Sequence, residues 1–358
     1  MVSDPGIRVM GERMNDDNFR LPGSSRMKRG VATAPSRCPI RRLPIMTVWL
    51  RVLSCLISIM LGWSSVVFAE DSPVPRTALC PLTSFVPPPL LHAKDPRNFG
   101  AKCDGVTDDS AAFQKAMDSG DVKVAAGTCL INKTVNVRVS NRHMECAPGT
   151  VLKRTVSDAN SMFLYEAGAG ALVGDSIVNC NFEGANSPLP RVDFKAPGHW
   201  DIPVLTRDNV SNFLLAGNTF KQFFGQSQFQ TTGVNAGSGD KIIFNAFSSC
   251  PLYGPAFVGH RNGYVAYNKL IGCTAGVEND DATDYTGGNI FECNRVTSNG
   301  APGYITGGVQ GVHTNYSGNI VRYNIVTGDK TGISKKHQEG GREAQYIENS
   351  CVEGCKIN

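Results

Sequence analysis
The chain has 358 residues, 41% of them hydrophobic and 18% charged, with a formal net charge of +4. That charge is lopsided: residues 1–69 hold 10 of the 35 Lys and Arg and 4 of the 31 Asp and Glu, which leaves residues 70–358 with 25 against 27, about −2. A near-neutral body without a basic run excludes nucleic acid as the expected partner, and the length suits one large domain or two smaller ones.

Residues 1–45 are polar, basic and aperiodic, and read as a disordered extension or as text ahead of a true start at Met46. From Met46, a short stretch ending at Arg51 leads into the apolar run Val52 to Trp63 and then Ser64-Ser-Val-Val-Phe-Ala69, the order of a secretory signal peptide cleaved after Ala69. The competing reading is a retained signal anchor, since Val52 to Ala69 is barely long enough to cross a bilayer. Cleavage is the expectation, giving a secreted or periplasmic product with no stable membrane insertion. Residues 70–96 carry Pro73, Pro75, Pro81, Pro87, Pro88, Pro89 and Pro96 and are expected to form an extended lead-in.

A single domain is then expected over 97–358. It opens with Asn98-Phe-Gly-Ala-Lys-Cys-Asp-Gly-Val-Thr-Asp-Asp-Ser-Ala-Ala-Phe-Gln-Lys-Ala-Met117, in which Thr107 or Asp108 can cap a helix whose Ala112, Phe113, Ala116 and Met117 form one apolar stripe. This text resembles the opening of the pectate-lyase-like superfamily, where "FGAxGDGxTDDT" leads into a helix that caps a right-handed β-helix and a "PAGxY" strand comes next; here Val124-Ala-Ala-Gly-Thr-Cys-Leu-Ile131 stands in that second place. The resemblance covers about residues 95–150 and implies the fold, not one reaction, because rhamnogalacturonase-type hydrolases, mannuronan epimerases and phage tailspikes share it. Cys103 and Cys129 depart from the pattern together, which suggests a disulfide in a secreted chain.

Beyond that opening an asparagine pattern recurs. Asn218-Thr-Phe, Asn245-Ala-Phe, Asn268-Lys-Leu, Asn294-Arg-Val and Asn324-Ile-Val stand 27, 23, 26 and 30 residues apart, with weaker copies at Asn181 and Asn349. Before them come short alternating runs such as Lys241-Ile-Ile-Phe and Asn319-Ile-Val-Arg-Tyr, and midway through most periods a Gly-Val or Gly-Ile strand signal. The expected fold class is therefore all-β, a right-handed parallel β-helix with a short N-terminal capping helix and the asparagines stacked at one turn. Cys250 and Cys273, each five residues after a ladder asparagine, should lie on adjacent coils within reach of a bridge, with free thiols as the alternative.

On such a fold, chemistry depends on which outward positions align. Setting Val234, Val277, Val312 and Ile333 inward gives Asn235, Glu278, His313 and Ser334 as one outward row and Gly237, Asp280, Asn315 and Lys336 as a second; with Phe257 inward, His260 joins the second row beside Asp280. Two acid–imidazole pairs result, His260 with Asp280 and Glu278 with His313, the arrangement of a general base or acid. Lys335 and Lys336, with Asn235 and Asn315, are the candidate substrate contacts. Asp280, Asp281 and Asp284 could instead hold calcium, no cofactor being otherwise implied.

The partner expected is a polysaccharide or oligosaccharide, and self-association stays open. The expected activity is β-elimination or C5 epimerisation of a uronate polymer, with His260 or His313 as base and lysine or calcium neutralising the sugar carboxylate. The alternatives are glycoside hydrolysis by Glu278, Asp280 and Asp281, and a non-catalytic sugar-binding solenoid.

Overall fold
A computed structural model describes residues 80–81, 84–156, 161–185, 201–223, 225–232, 237–273, 276–280, 287–297, 310–314, 318–327, 331–334 and 345–352, with 280, 310–314, 331–334 and 351 placed by backbone alone. The chain separates into Met1–Glu70 and Asp71–Asn358, and every described residue belongs to the second unit.

Three parallel sheets of nine, ten and eight strands, here sheets A, B and C, run along this unit. One winding is Lys241–Ile243 in A, Ala246–Ser248 in B and Tyr253–Val258 in C, after which the chain returns to A one level on. Successive windings pair in register, as with Phe182, Phe220, Phe247 and Leu270 in sheet B. This is the right-handed parallel β-helix expected from the repeat. Its core is the set of inward rows: Phe182, Phe220 and Phe247 stack face to face with centroids 4.7 and 5.0 Å apart. Fully burying each such ring contributes about 2–3 kcal/mol.

A helix, α1 (Ser110–Ser119), covers the first winding with the expected stripe of Ala112, Phe113, Ala116 and Met117 buried. Its N-cap is Asp109, not Thr107 or Asp108. Asp109 turns back to accept the Lys102 and Cys103 N–H groups at 2.6 and 3.1 Å, while Asp108 accepts the Ser110 N–H at 3.1 Å. Asp104 accepts from Thr107 and Val106 N–H at 2.8 and 2.9 Å, which holds its carboxyl below the usual range. The acids of the opening motif therefore fold the turn rather than serve a site. Cys103, Asp109 and Cys129 are the group close enough to hold a metal among the described residues, but the two sulfurs are joined in a disulfide.

Between sheets A and B the chain turns in two residues on winding after winding. The first is left-handed (Phe244, Tyr267, Cys293, Tyr323 and Glu348 have φ of 57, 59, 56, 57 and 45°) and the second is the ladder asparagine. Asn218, Asn245, Asn268, Asn294 and Asn324 each donate Nδ2–H to the next asparagine's Oδ1 at 3.0–3.1 Å, the last reaching Asn349. Each Nδ2 also caps a carbonyl, as Asn268 does for Ile242 at 2.7 Å. The weak copy at Asn181 proves to be out of step by one: Thr219 pairs with Asn181, so Cys180 occupies the ladder position and donates its N–H to Asn218 Oδ1.

Four disulfides join described cysteines: the two expected, Cys103–Cys129 and Cys250–Cys273, with Cys146–Cys180 and Cys80–Cys293. The last fastens the proline-rich lead-in, which runs over sheet A against the winding order. Phe85 stacks on Phe244 at 5.9 Å, the Leu91 N–H donates to Asp121 Oδ2 at 2.7 Å, and Lys94 bridges to Val122. Beneath it Val178, Ala216, Ile243 and Ala266 form an apolar stripe on the outer side of sheet A.

Candidate functional site on sheet C
Sheet C differs from the other two in its surroundings. Its strands are entered and left by the connections of variable length, among them 184–203 and 298–309 on one side and 281–289 and 335–344 on the other.

The inner row of this sheet is Phe163, Val204 and Phe229, with Phe257 one step further along. The alternate row runs Asn136, Leu164, Leu205, Gln230, Ala256 and Glu278, the last four of them buried, and by backbone pairing His313 and Ser334 continue its register. Glu278 and His313 are thus register partners on neighbouring strands, about 4.8 Å apart in the pairing direction. Glu278 is covered to 7% exposure, between the inward Val277 and Asn279. Val277, Val312 and Ile333 align as expected from the sequence.

The other expected pair is not assembled. Phe257 lies opposite Asn279, two residues beyond the expected Val277, and Val258, not His260, lies opposite Asp280; the pairing itself shifts by one residue between Tyr253↔Gly276 and Ala256↔Glu278. His260 falls beyond the strand, fully buried, with its ring 4.6 Å from that of Phe257 and Nε2 3.8 Å from Asp240 Oδ2. The Asp240 N–H donates to that nitrogen at 3.3 Å. The expected alignment is off by two residues, one pleat repeat, which keeps the same face inward and so leaves the alternation unchanged. Of the remaining expected residues, Asp280 is placed by backbone alone, and Asn235, Asn315, Lys335, Lys336, Asp281 and Asp284 lie outside the described residues, so the calcium reading does too.

His260 belongs to a corner that the sequence pattern did not reveal. Where sheet C passes to sheet A, the residues Asp175, Phe213, Asp240, Gly263, Asn289 and Asn319 stand one above another. Asp175 accepts the Arg142 N–H at 2.7 Å, Asp240 the Phe213 N–H at 2.8 Å and Asn289 the Gly263 N–H at 2.7 Å. Burial raises the Asp175 carboxyl to about 7, against the opposing pull of the Arg142 N–H and charge. Burial also pushes Asp240 well up, aided by the charge of Asp175, and drives the Tyr165 hydroxyl well above its ordinary value. The signal that could have found this corner is spacing: Asp175, Asp240, Asn289 and Asn319 each stand five residues before the ladder position at Cys180, Asn245, Asn294 and Asn324.

A second buried charge pair, Arg154 Nε to Asp201 Oδ1 at 2.8 Å, lies fully inside. It is neutralised within the fold and forms part of the packing rather than of the outer face.

No protein-family model matches the chain, and no curated protein sequence does. Solved structures do resemble it. Bacteriophage phi29 gene product 12, in its pre-mature form, aligns with 72% of this chain at 16% identity and a TM-score of 0.51. The tailspike of the E. coli bacteriophage HK620, solved in complex with a pentasaccharide, aligns with 72% at 10% identity and a TM-score of 0.51. A family 28 exopolygalacturonase of Yersinia enterocolitica aligns with 75% at 15% identity and a TM-score of 0.45. The alignments span 33, 50 and 59% of those three chains. At such identities the two stronger likenesses speak to architecture alone, and they place this chain among the right-handed parallel β-helix proteins.

Proposed function
We propose that this chain is an exported, polysaccharide-acting protein whose site is the outer face of sheet C at Glu278 and His313, and that it acts on a uronate polymer by β-elimination or C5 epimerisation. The observation that carries this reading is the register of Glu278 opposite His313, on the sheet bordered by the long connections. The proposed roles use the chemistry of these two residue types, an imidazole to remove a proton and a carboxylate to orient it. Both reactions begin by neutralising the sugar carboxylate and removing the C5 proton; His313 is the proposed base. Lys335, Lys336 or a cation on Asp280, Asp281 and Asp284 is the proposed neutraliser.

Export through residues 46–69 agrees with four disulfides, which persist in oxidising compartments. The saccharide complex of the HK620 tailspike supports a sugar chain as the ligand class, by analogy of fold.

The test is incubation of the exported chain with uronate polymers while the ultraviolet absorbance of an unsaturated product and C5 proton exchange in deuterated water are monitored. Glu278→Gln and His313→Asn are each expected to lower the rate about 100-fold or more. Release of reducing ends without either signal would move the reading to hydrolysis. Retained sugar binding with no turnover would make sheet C a binding surface without catalysis.

A further inference from the structure
The four disulfides divide by their surroundings. Cys103–Cys129, Cys146–Cys180 and Cys250–Cys273 each join neighbouring windings, across sequence separations of 26, 34 and 23, and all six cysteines are buried. Cys80–Cys293 has a separation of 213, and both of its cysteines are partly exposed. A thiolate must reach a sulfur to attack it, so accessibility sets this bond apart from the other three.

The segment it fastens has little else to hold its near end. Among the described residues from Cys80 to Leu90, none is buried and none hydrogen-bonds to another described residue; the first such bond comes at Leu91 and the next at Lys94. Packing does the rest: the Phe85 ring stacks on Phe244 at 5.9 Å and lies against the stripe of Val178, Ala216, Ile243 and Ala266. Gly217 makes room for that ring. It holds the left-handed turn position that Phe244 and Tyr267 fill on the next windings, and a Cβ there would stand 2.9 Å from the ring, nearer than carbon atoms pack. The docked state is thus shaped for Phe85, yet a segment with no fully buried side chain and an unbonded backbone opens at small cost once its covalent tie is gone.

We infer that Cys80–Cys293 is a redox-operated clasp: a dithiol reductant opens it while the three buried bridges and the winding stay intact, and residues 80–90 then lift from sheet A and uncover the apolar stripe. One thiolate of the dithiol attacks a clasp sulfur, forming a mixed disulfide and expelling the other cysteine as thiolate. The second thiol then displaces the mixed disulfide, so two cysteine thiols form as one dithiol becomes a disulfide. The clasp acts on sheet A and stands or falls apart from the chemistry at Glu278 and His313.

Titrating the full chain with dithiothreitol, then alkylating it and mapping the labelled peptides, tests the clasp. Cys80 and Cys293 are expected to take the label at a dithiothreitol concentration at least about tenfold below that needed for the six buried cysteines. In that range circular dichroism should stay unchanged, chymotrypsin cleavage after Phe85 should quicken at least about tenfold, and fluorescence of an apolar dye should rise. Cys80→Ser should show the quick cleavage and the dye signal without reductant, and should gain nothing when it is added. Label arriving on the buried cysteines together with Cys80 would overturn the inference, as would loss of the native circular dichroism when Cys80–Cys293 alone has opened. Cleavage after Phe85 no faster in the opened chain than in the oxidised one would overturn it too.

Discussion

Two corners of the same helix solve one problem in opposite ways. Between sheets A and B every winding from Asn218 onward presents an amide, which donates upward through Nδ2 and accepts through Oδ1, so the column repeats without limit and carries no charge. Between sheets C and A the same kind of position is held by Asp175, Phe213, Asp240, Gly263, Asn289 and Asn319. A carboxylate only accepts, so it can cap the N–H of a neighbour but cannot pass the pattern on. The two acids accordingly stand on alternate windings with Phe213 between them, and both carboxyls are held toward the protonated form. An interior column tolerates repetition when each member is self-complementary, and demands spacing when it is not.

Exchanging the two chemistries is the sharpest way to break that contrast. Asn294→Asp would set a carboxylate against the Val265 and Asn324 oxygens that its Nδ2 now serves. The expected loss is about 3–6 kcal/mol, from several buried groups left without partners, measured by urea unfolding; a loss under about 1 kcal/mol would deny the ladder its structural role.

The acid corner should announce itself in pH. Asp175 titrates near 3.8 in its ordinary state and at about 7 in the fold, so the native protein holds the extra proton across that interval. Its contribution is whole below about pH 4 and is lost as pH rises toward 7, with a slope of up to about 1.4 kcal/mol per pH unit. Asp175→Asn should flatten the profile of unfolding free energy against pH between those limits. An unchanged slope would show that the carboxyl is ionised in the native protein.

The smallest effect concerns the left-handed residue ahead of each amide. Glu348 has φ of 45°, a conformation glycine adopts freely, and Glu348→Gly is expected to stabilise by about 1 kcal/mol, read as a small rise in Tm. No rise would mean that the glutamate side chain compensates for the turn.

The amide corner was legible because one residue type at one turn, with an inward apolar residue two places on, leaves a pattern that a repeat search finds. The acid corner was not, since residues as unlike as Asp240 and Gly263 occupy the same place and only their distance from the ladder is constant. The register of sheet C was legible for Glu278 and His313, and failed for His260, because setting Phe257 against Val277 instead of Asn279 slips the strands by two residues. Alternation cannot see a slip of two residues, because it returns every side chain to the same face. Likewise Thr107 and Asp108 read as the candidate helix caps, yet the N-cap is Asp109, whose carboxyl accepts the Lys102 and Cys103 N–H groups of the preceding turn.

The lead-in also dictates an order of events. Its far end meets the first winding through Leu91 and Lys94, but its cysteine closes on Cys293 across a sequence separation of 213 and has no partner until the winding that bears Cys293 exists. Formation of that one cross-link therefore reports that the winding bearing Cys293 is in place, and trapping free Cys80 during maturation would time that stage of assembly.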